Sequence, residues 1–143
     1  MNVKKILFPT DFSHTGDAAF AMATSIARDT GAKILIVHVE EPPVAYGGGE
    51  LYYGIPEPQT EDLKAMLHRI VPSDPKPEYE HRLITGDPAG AIPRLAEEEG
   101  VDMIVMGTHG RSGLTRLLMG SVAEAIVRRS PCPVLTFKQP HKE

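Results

Sequence analysis

Six consecutive residues, Ile34-Leu35-Ile36-Val37-His38-Val39, contain one polar side chain. A strand that is apolar at successive positions, not alternate ones, has both faces covered. Sheets covered on both faces are built of parallel strands with helices above and below. This run therefore points to an α/β fold.

The pattern agrees. Val3 to Pro9 reads as an opening buried strand, and Thr10-Asp11-Phe12-Ser13 as the turn after it. A helix is predicted from about Thr15 to Thr30, with Ala18, Ala19, Met22, Ile26 and Ala27 on its inner side and Gly31 as its stop. Thr60 is placed as the N-cap of a short helix whose first turn carries Glu61 and Asp62, with Leu63, Met66, Leu67 and Ile70 along one face. Tyr79 to Ile84 alternates like a strand near an edge. Asp87-Pro88 marks a helix start, with Ile92, Leu95 and Ala96 facing inward and Gly100 at the end. Val101 to Met106 is a fourth strand, Gly120 to Arg129 a last helix, and Pro133 to Phe137 a fifth strand. Strands alternating with helices predict one domain over 1–143, an open five-stranded parallel sheet with helices on both faces. The strand order taken is 3-2-1-4-5.

One segment breaks the pattern. Between Glu40 and Gln59 lie Pro42-Pro43, Gly47-Gly48-Gly49, Pro56 and Pro58, which read as a long surface loop. Its Tyr46, Tyr52 and Tyr53 either fold back on nearby apolar surface or serve a lid or partner-binding role.

Bulk properties narrow the function classes. At 143 residues the chain can bury a core without staples. A net charge of −4 argues against a general nucleic-acid binder, while leaving room for a small cationic pocket. Cys132 is the single cysteine, so no disulfide can form within the chain and a reducing cytosol is expected. Cys132 itself reads as a small buried hydrophobe. The apolar residues after Lys4-Lys5 are too few for a signal peptide, and no run approaches the length of a membrane span. A cytoplasmic protein is expected.

The residues with chemistry follow the fourth strand: Met106-Gly107-Thr108-His109-Gly110-Arg111-Ser112-Gly113, continuing to Met119-Gly120-Ser121. A strand that empties into a glycine-rich turn and then a helix start is a common phosphate holder. Glycine lets backbone N–H groups approach an anion, and the helix start adds unpaired N–H groups and a partial positive charge. Ligands of open α/β sheets bind beyond the carboxyl ends of the strands where strand order reverses. With order 3-2-1-4-5 that point lies between strands one and four, so Asp11 and the glycine-rich turn face one crevice. The stretch is neither Gly-x-x-x-x-Gly-Lys-Ser/Thr nor a dinucleotide fingerprint, which would follow the first strand. Arg111 and Arg116 lie in the same loop and are either phosphate ligands or solvated. Arg128-Arg129 are explained by the helix dipole.

On these residues the chain resembles the universal stress protein family over nearly its whole length. The likeness rests on Lys4-Lys5-Ile6-Leu7-Phe8-Pro9-Thr10-Asp11-Phe12-Ser13, on Val37-His38-Val39, and above all on Gly107-x2-Gly110-x9-Gly120-Ser121, which matches the family's ATP-binding pattern. The resemblance implies an adenine nucleotide alpha hydrolase-like sheet, a homodimer and bound ATP. It implies that Pro9, Thr10 and Asp11 border adenine and ribose and that Val39 offers backbone atoms to adenine. Met106 and Gly107 would flank the ribose. His109, Gly110 and Arg111, with Gly120, Ser121 and Val122, would hold phosphates, with Mg2+ or Mn2+ on them. The dimer would form through the last strand, Val134-Leu135-Thr136-Phe137, whose apolar edge invites a partner strand.

No set of residues orients a nucleophile as phosphoryl transfer requires. His109 is the nearest candidate, and a hydrogen-bonding or turn role suits it better. The expected role is regulatory ATP binding with little or no turnover. The alternatives are a slow ATPase or phosphotransferase, and a dimeric interaction protein with structural nucleotide.

Overall fold

The computed structural model describes residues 2–42, 60–108 and 120–138. Its five strands are β1 (Lys5–Pro9), β2 (Lys33–Glu40), β3 (Tyr79–Thr85), β4 (Met103–Gly107) and β5 (Val134–Phe137). Between them run α1 (Asp17–Thr30), α2 (Thr60–His68), α3 (Pro88–Glu99) and α4 (Ser121–Arg129), with a short 3-10 turn at His14–Gly16. All strand pairs are parallel, in the order β3-β2-β1-β4-β5. This is the expected order. The Glu40–Gln59 segment and its tyrosines lie outside the described residues beyond position 42.

Side chains alternate across each strand, and the core divides accordingly. Ile6, Phe8, Ile34, Ile36, Met103 and Val105 face α1 and α2. Leu7, Leu35, Val37, Ile104 and Met106 face α3 and α4. This is why β2 reads as a continuous apolar run: each face has its own helix layer.

The inner face of α1 is a stripe of small residues. Ala19, Ala23 and Ala27 are buried, with Thr24 beside them, while Ala18 is exposed and Met22 is 39% exposed. The expected face was thus rotated. Alanines four apart bring the helix backbone close to the sheet, and Met22 would not fit there. Phe20 packs on Phe8 instead, ring centroids 4.8 Å apart. The hydroxyl of Thr24 is buried without a hydrogen-bond partner, alone in this among the described side chains.

The helix ends are largely as read. Gly31 and Gly100 stop α1 and α3 in the left-handed region, at φ 79° and 61°. Asp87 occupies the N-cap of α3 but makes no side-chain cap bond; its carbonyl accepts from Gly90 and Ala91. Thr60 is the first residue of α2, and its hydroxyl donates to Glu40 Oε1 at 2.8 Å, tying α2 to the end of β2. Cys132 is half-buried against the α3/α4 core.

Two polar devices brace the sheet. Asp102 Oδ2 accepts from the amides of Lys4 (2.8 Å) and Lys5 (3.0 Å), joining the approach to β1 with that to β4. On the β3 side, Glu80 lies between Lys33 (2.9 Å) and Arg82 (2.6 Å), and Arg82 also meets Glu99 at 2.7 Å. The hydrogen bond from Lys33, then that from Arg82, holds the Glu80 carboxyl down at about 2. Its bond to Glu80 raises the Arg82 guanidinium in turn.

Candidate functional site

Strands β1 and β4 pair over two positions only, Ile6 with Met103 and Leu7 with Ile104. On either side pairing continues toward the carboxyl ends, to Pro9 with Val37 and to Gly107 with Phe137. The sheet therefore parts between β1 and β4, at the point where strand order reverses. The predicted crevice is this opening.

One wall is the turn after β1. The Thr10 amide donates to Val37 O at 2.8 Å, the last bond β1 makes to β2. The Phe12 amide donates to Thr10 Oγ1 at 3.0 Å. Asp11 Oδ1 accepts from both the amide (2.9 Å) and the hydroxyl (2.5 Å) of Ser13. These side chain–backbone bonds replace the sheet ladder. They hold Phe12 at φ 68°, the one non-glycine residue with positive φ among those described. Such a conformation costs on the order of 1–3 kcal/mol and persists only where its surroundings enforce it.

The floor is β2. Its backbone groups alternate in direction: Val37 O meets β1, whereas Glu40 O accepts from Gly86, beyond β3. Val39 therefore points its N–H and C=O to the β1 side. Continuing the Pro9–Val37 register would pair Asp11 with Val39, through Val39 N–H to Thr10 O and Phe12 N–H to Val39 O. Neither bond forms. Thr10 O accepts the imidazole Nδ1–H of His38 at 2.7 Å, and the Phe12 amide has gone to Thr10 Oγ1. One donor and one acceptor of Val39 are left facing the crevice without a backbone partner among the described residues.

The opposite wall is the exit of β4 and the start of α4. The side chain of Met106 is buried in the α3/α4 core, and its backbone groups alternate to the β5 side with those of Ile104 and Thr108, so Gly107 is the β4 residue whose backbone faces the crevice. The Thr108 amide donates to Phe137 O at 2.9 Å, and its carbonyl accepts the Gly120 amide at 3.0 Å. Gly120 is the N-cap of α4, with Ser121 and Val122 as its first helical residues. Gly120 has no side chain with which to cap α4, and among the described residues none supplies a cap bond, which suits the first-turn N–H groups to an anion. A Cβ on Gly120 would stand 3.1 Å from Thr108 O, which explains glycine there.

Of the predicted site residues, Pro9, Thr10, Asp11, Val39, Met106, Gly107, Gly120, Ser121 and Val122 lie on strand ends or helix starts around this opening. His109, Gly110 and Arg111 lie outside the described residues. Reading the sequence missed His38, a polar residue inside an apolar run whose partner is 28 positions away. Among the described residues no three metal-ligating side chains converge, and no helix is long and apolar enough to cross a membrane. A cavity of about 270 Å³ lies on the α1/α2 face, between Phe8, Phe12 and Phe20 on one side and Met66, Arg69 and Ile70 on the other. Thr10, Phe12 and Ser13 of the turn after β1 also line it.

The family model of the universal stress proteins matches residues 2–138. The chain belongs to the universal stress protein family. Among its relatives is universal stress protein MJ0531 of Methanocaldococcus jannaschii, 36% identical over 145 aligned residues, which span 98% of this chain and 85% of the relative. The solved structure of MJ0577 shares the fold, with a TM-score of 0.74 at 24% identity over 99% of this chain and 100% of that one. A universal stress protein solved in complex with cAMP superposes with a TM-score of 0.71 at 25% identity, covering 98% of this chain and 100% of that one. The universal stress protein sheet thus accounts for the whole described chain, and its switch point is the crevice built above.

Proposed function

We propose that this universal stress protein binds ATP in the crevice between β1 and β4 and acts as a cytoplasmic regulatory protein with little or no turnover. The observation that carries the reading is the missing rung at Val39. It leaves an N–H and a C=O side by side, a donor and an acceptor that suit the N1 and exocyclic amine of adenine. Pro9, Thr10 and Asp11 would border the nucleoside, and Met106 and Gly107 the ribose. His109, Gly110, Arg111, Gly120, Ser121 and Val122 would hold the phosphates, the last three at the N-terminus of α4. A relative that binds a cyclic adenine nucleotide supports the ligand class. Mg2+ or Mn2+ would be held mainly through the phosphates, as Mg2+ commonly is, because the described residues supply no cage.

The test is direct. Nucleotide released by denaturing the purified protein is identified, and Mg·ATP is titrated calorimetrically. Intact ATP in the supernatant is expected. ADP alone, with handling losses excluded, would favour the slow ATPase or phosphotransferase. No nucleotide and no heat of binding would overturn the reading.

The same proposal includes a homodimer through β5. The two edges of the sheet differ: β3 carries Glu80 and Arg82 in a charged network, whereas β5 is Val-Leu-Thr-Phe. Charges guard an edge against pairing, and a short apolar edge invites it.

A further inference from the structure

We infer that His38 is a positioning residue for the nucleoside half of this site: its imidazole intercepts the carbonyl that would otherwise close the β1–β2 ladder over Val39. The inference deepens the nucleotide reading and rests on it for its binding arm.

Ile34, Ile36 and His38 share one face of β2, so the imidazole rises on the α1 side above the last β1–β2 bond. There it is buried, 9% exposed, with its ring centroid 4.4 Å from that of Phe12 and the two rings tilted by 38°. A carbonyl oxygen can only accept, so the 2.7 Å contact with Thr10 O fixes the proton on Nδ1. Thr10 O is the atom that Val39 N–H would reach in the next rung. With that acceptor taken from the side, the chain leaves the sheet one residue early. Phe12, packed on the imidazole, is driven to φ 68°, and its amide turns back to Thr10 Oγ1 instead of reaching Val39 O. His38 thus takes the acceptor half of the rung, Thr10 Oγ1 takes the donor half, and the Phe12 ring packed on the imidazole joins the two, leaving the Val39 edge toward the crevice.

His38→Leu returns Thr10 O to the ladder. His38→Asn keeps a donor near the position of Nδ1. Two measurements on the intact protein test the idea, and the first needs no ligand. Amide hydrogen exchange followed by NMR is expected to show Val39 exchanging at least tenfold more slowly in His38→Leu than in wild type, and fast as in wild type in His38→Asn. General destabilisation would speed exchange, so slowing cannot arise from it. An unchanged or faster Val39 amide in His38→Leu overturns the inference. In the second measurement adenosine, ATP and tripolyphosphate are titrated. His38→Leu is expected to lose about tenfold for adenosine and for ATP alike, to leave tripolyphosphate unaffected, and to be restored within threefold by His38→Asn. A loss shared by tripolyphosphate, or no loss for adenosine, overturns the positioning role. Failure of wild type to bind any of the three probes defeats the nucleotide reading and leaves His38 to be decided by exchange.

Discussion

The amide of Gly120 donates to the carbonyl of Thr108 across 3.0 Å, and a Cβ on Gly120 would lie 3.1 Å from that same oxygen. The contact joins the exit of β4 to the start of α4. A methyl group there must push the two backbones apart by a few tenths of an ångström, shifting the N–H groups of the first turn. Gly120→Val adds two more carbons in the same direction. It is expected to weaken ATP about tenfold or more while adenosine binds as in wild type. Calorimetric titration of both ligands checks this. Equal losses for the two, or none for ATP, would place the phosphates elsewhere.

The outer edge of β5 can be broken without touching its inner one. Pro133 O accepts from Ile104 and Phe137 O from Thr108, so 133, 135 and 137 face β4. Val134 and Thr136 point their N–H groups outward. Thr136→Pro deletes one outward donor and is tolerable on an edge. A monomer by light scattering, with little change in Tm, is expected. Leu135→Pro, which removes a bond to β4, should instead cost stability. A Thr136→Pro protein still dimeric at micromolar concentration would exclude pairing through this edge.

Glu80 gives a pH dependence of known sign. Its folded carboxyl titrates at about 2, below the ordinary 4.5, chiefly because Lys33 and Arg82 hydrogen-bond its ionised form. A depressed folded value stabilises above the unfolded value and is lost as pH falls from about 4.5 toward about 2. Glu80 is 38% exposed, so screening leaves about 1 kcal/mol rather than the full shift. Urea denaturation should show wild type more stable than Glu80→Gln by that amount at pH 6. The gap should close by pH 2 and narrow in high salt. A gap constant with pH would mean that the charge is not what Lys33 and Arg82 stabilise.

Thr24 is the inverse case, a buried hydroxyl with nothing to bond. Valine has nearly the same shape and helix propensity and no group to desolvate. Thr24→Val is expected to raise stability by about 1 kcal/mol. Thermal or urea unfolding measures it, and a destabilised variant would reveal a partner for the hydroxyl.

How far the sequence reached depended on whether the cause was local. The Ile34–Val39 run showed two covered faces because each side chain answers to its own layer. Gly31 and Gly100 marked helix ends because left-handed backbone selects for glycine at the position itself. The face of α1 was less visible. Ala18, Ala19, Met22 and Ala23 can be ordered only by knowing that α1 sits tightly on the sheet. Phe12 gave no warning, since its φ is imposed by Thr10, Ser13 and His38 and is not chosen by its own side chain. The crevice was located by topology, yet the free edge of Val39 depends on a hydrogen bond between residues 28 apart.

The clamp between Asp102 and the amides of Lys4 and Lys5 has a consequence in time. The paired groups stand 98 and 97 residues apart. During synthesis β1 emerges first, and β2 follows within a few tens of residues to cover one of its edges. The other edge must wait for β4. Until then a strand with an apolar face on either side and an open ladder is exposed, and closing so distant a contact is slow. A ribosome stalled between Gly100 and Asp102 would hold a chain with this edge still unpaired.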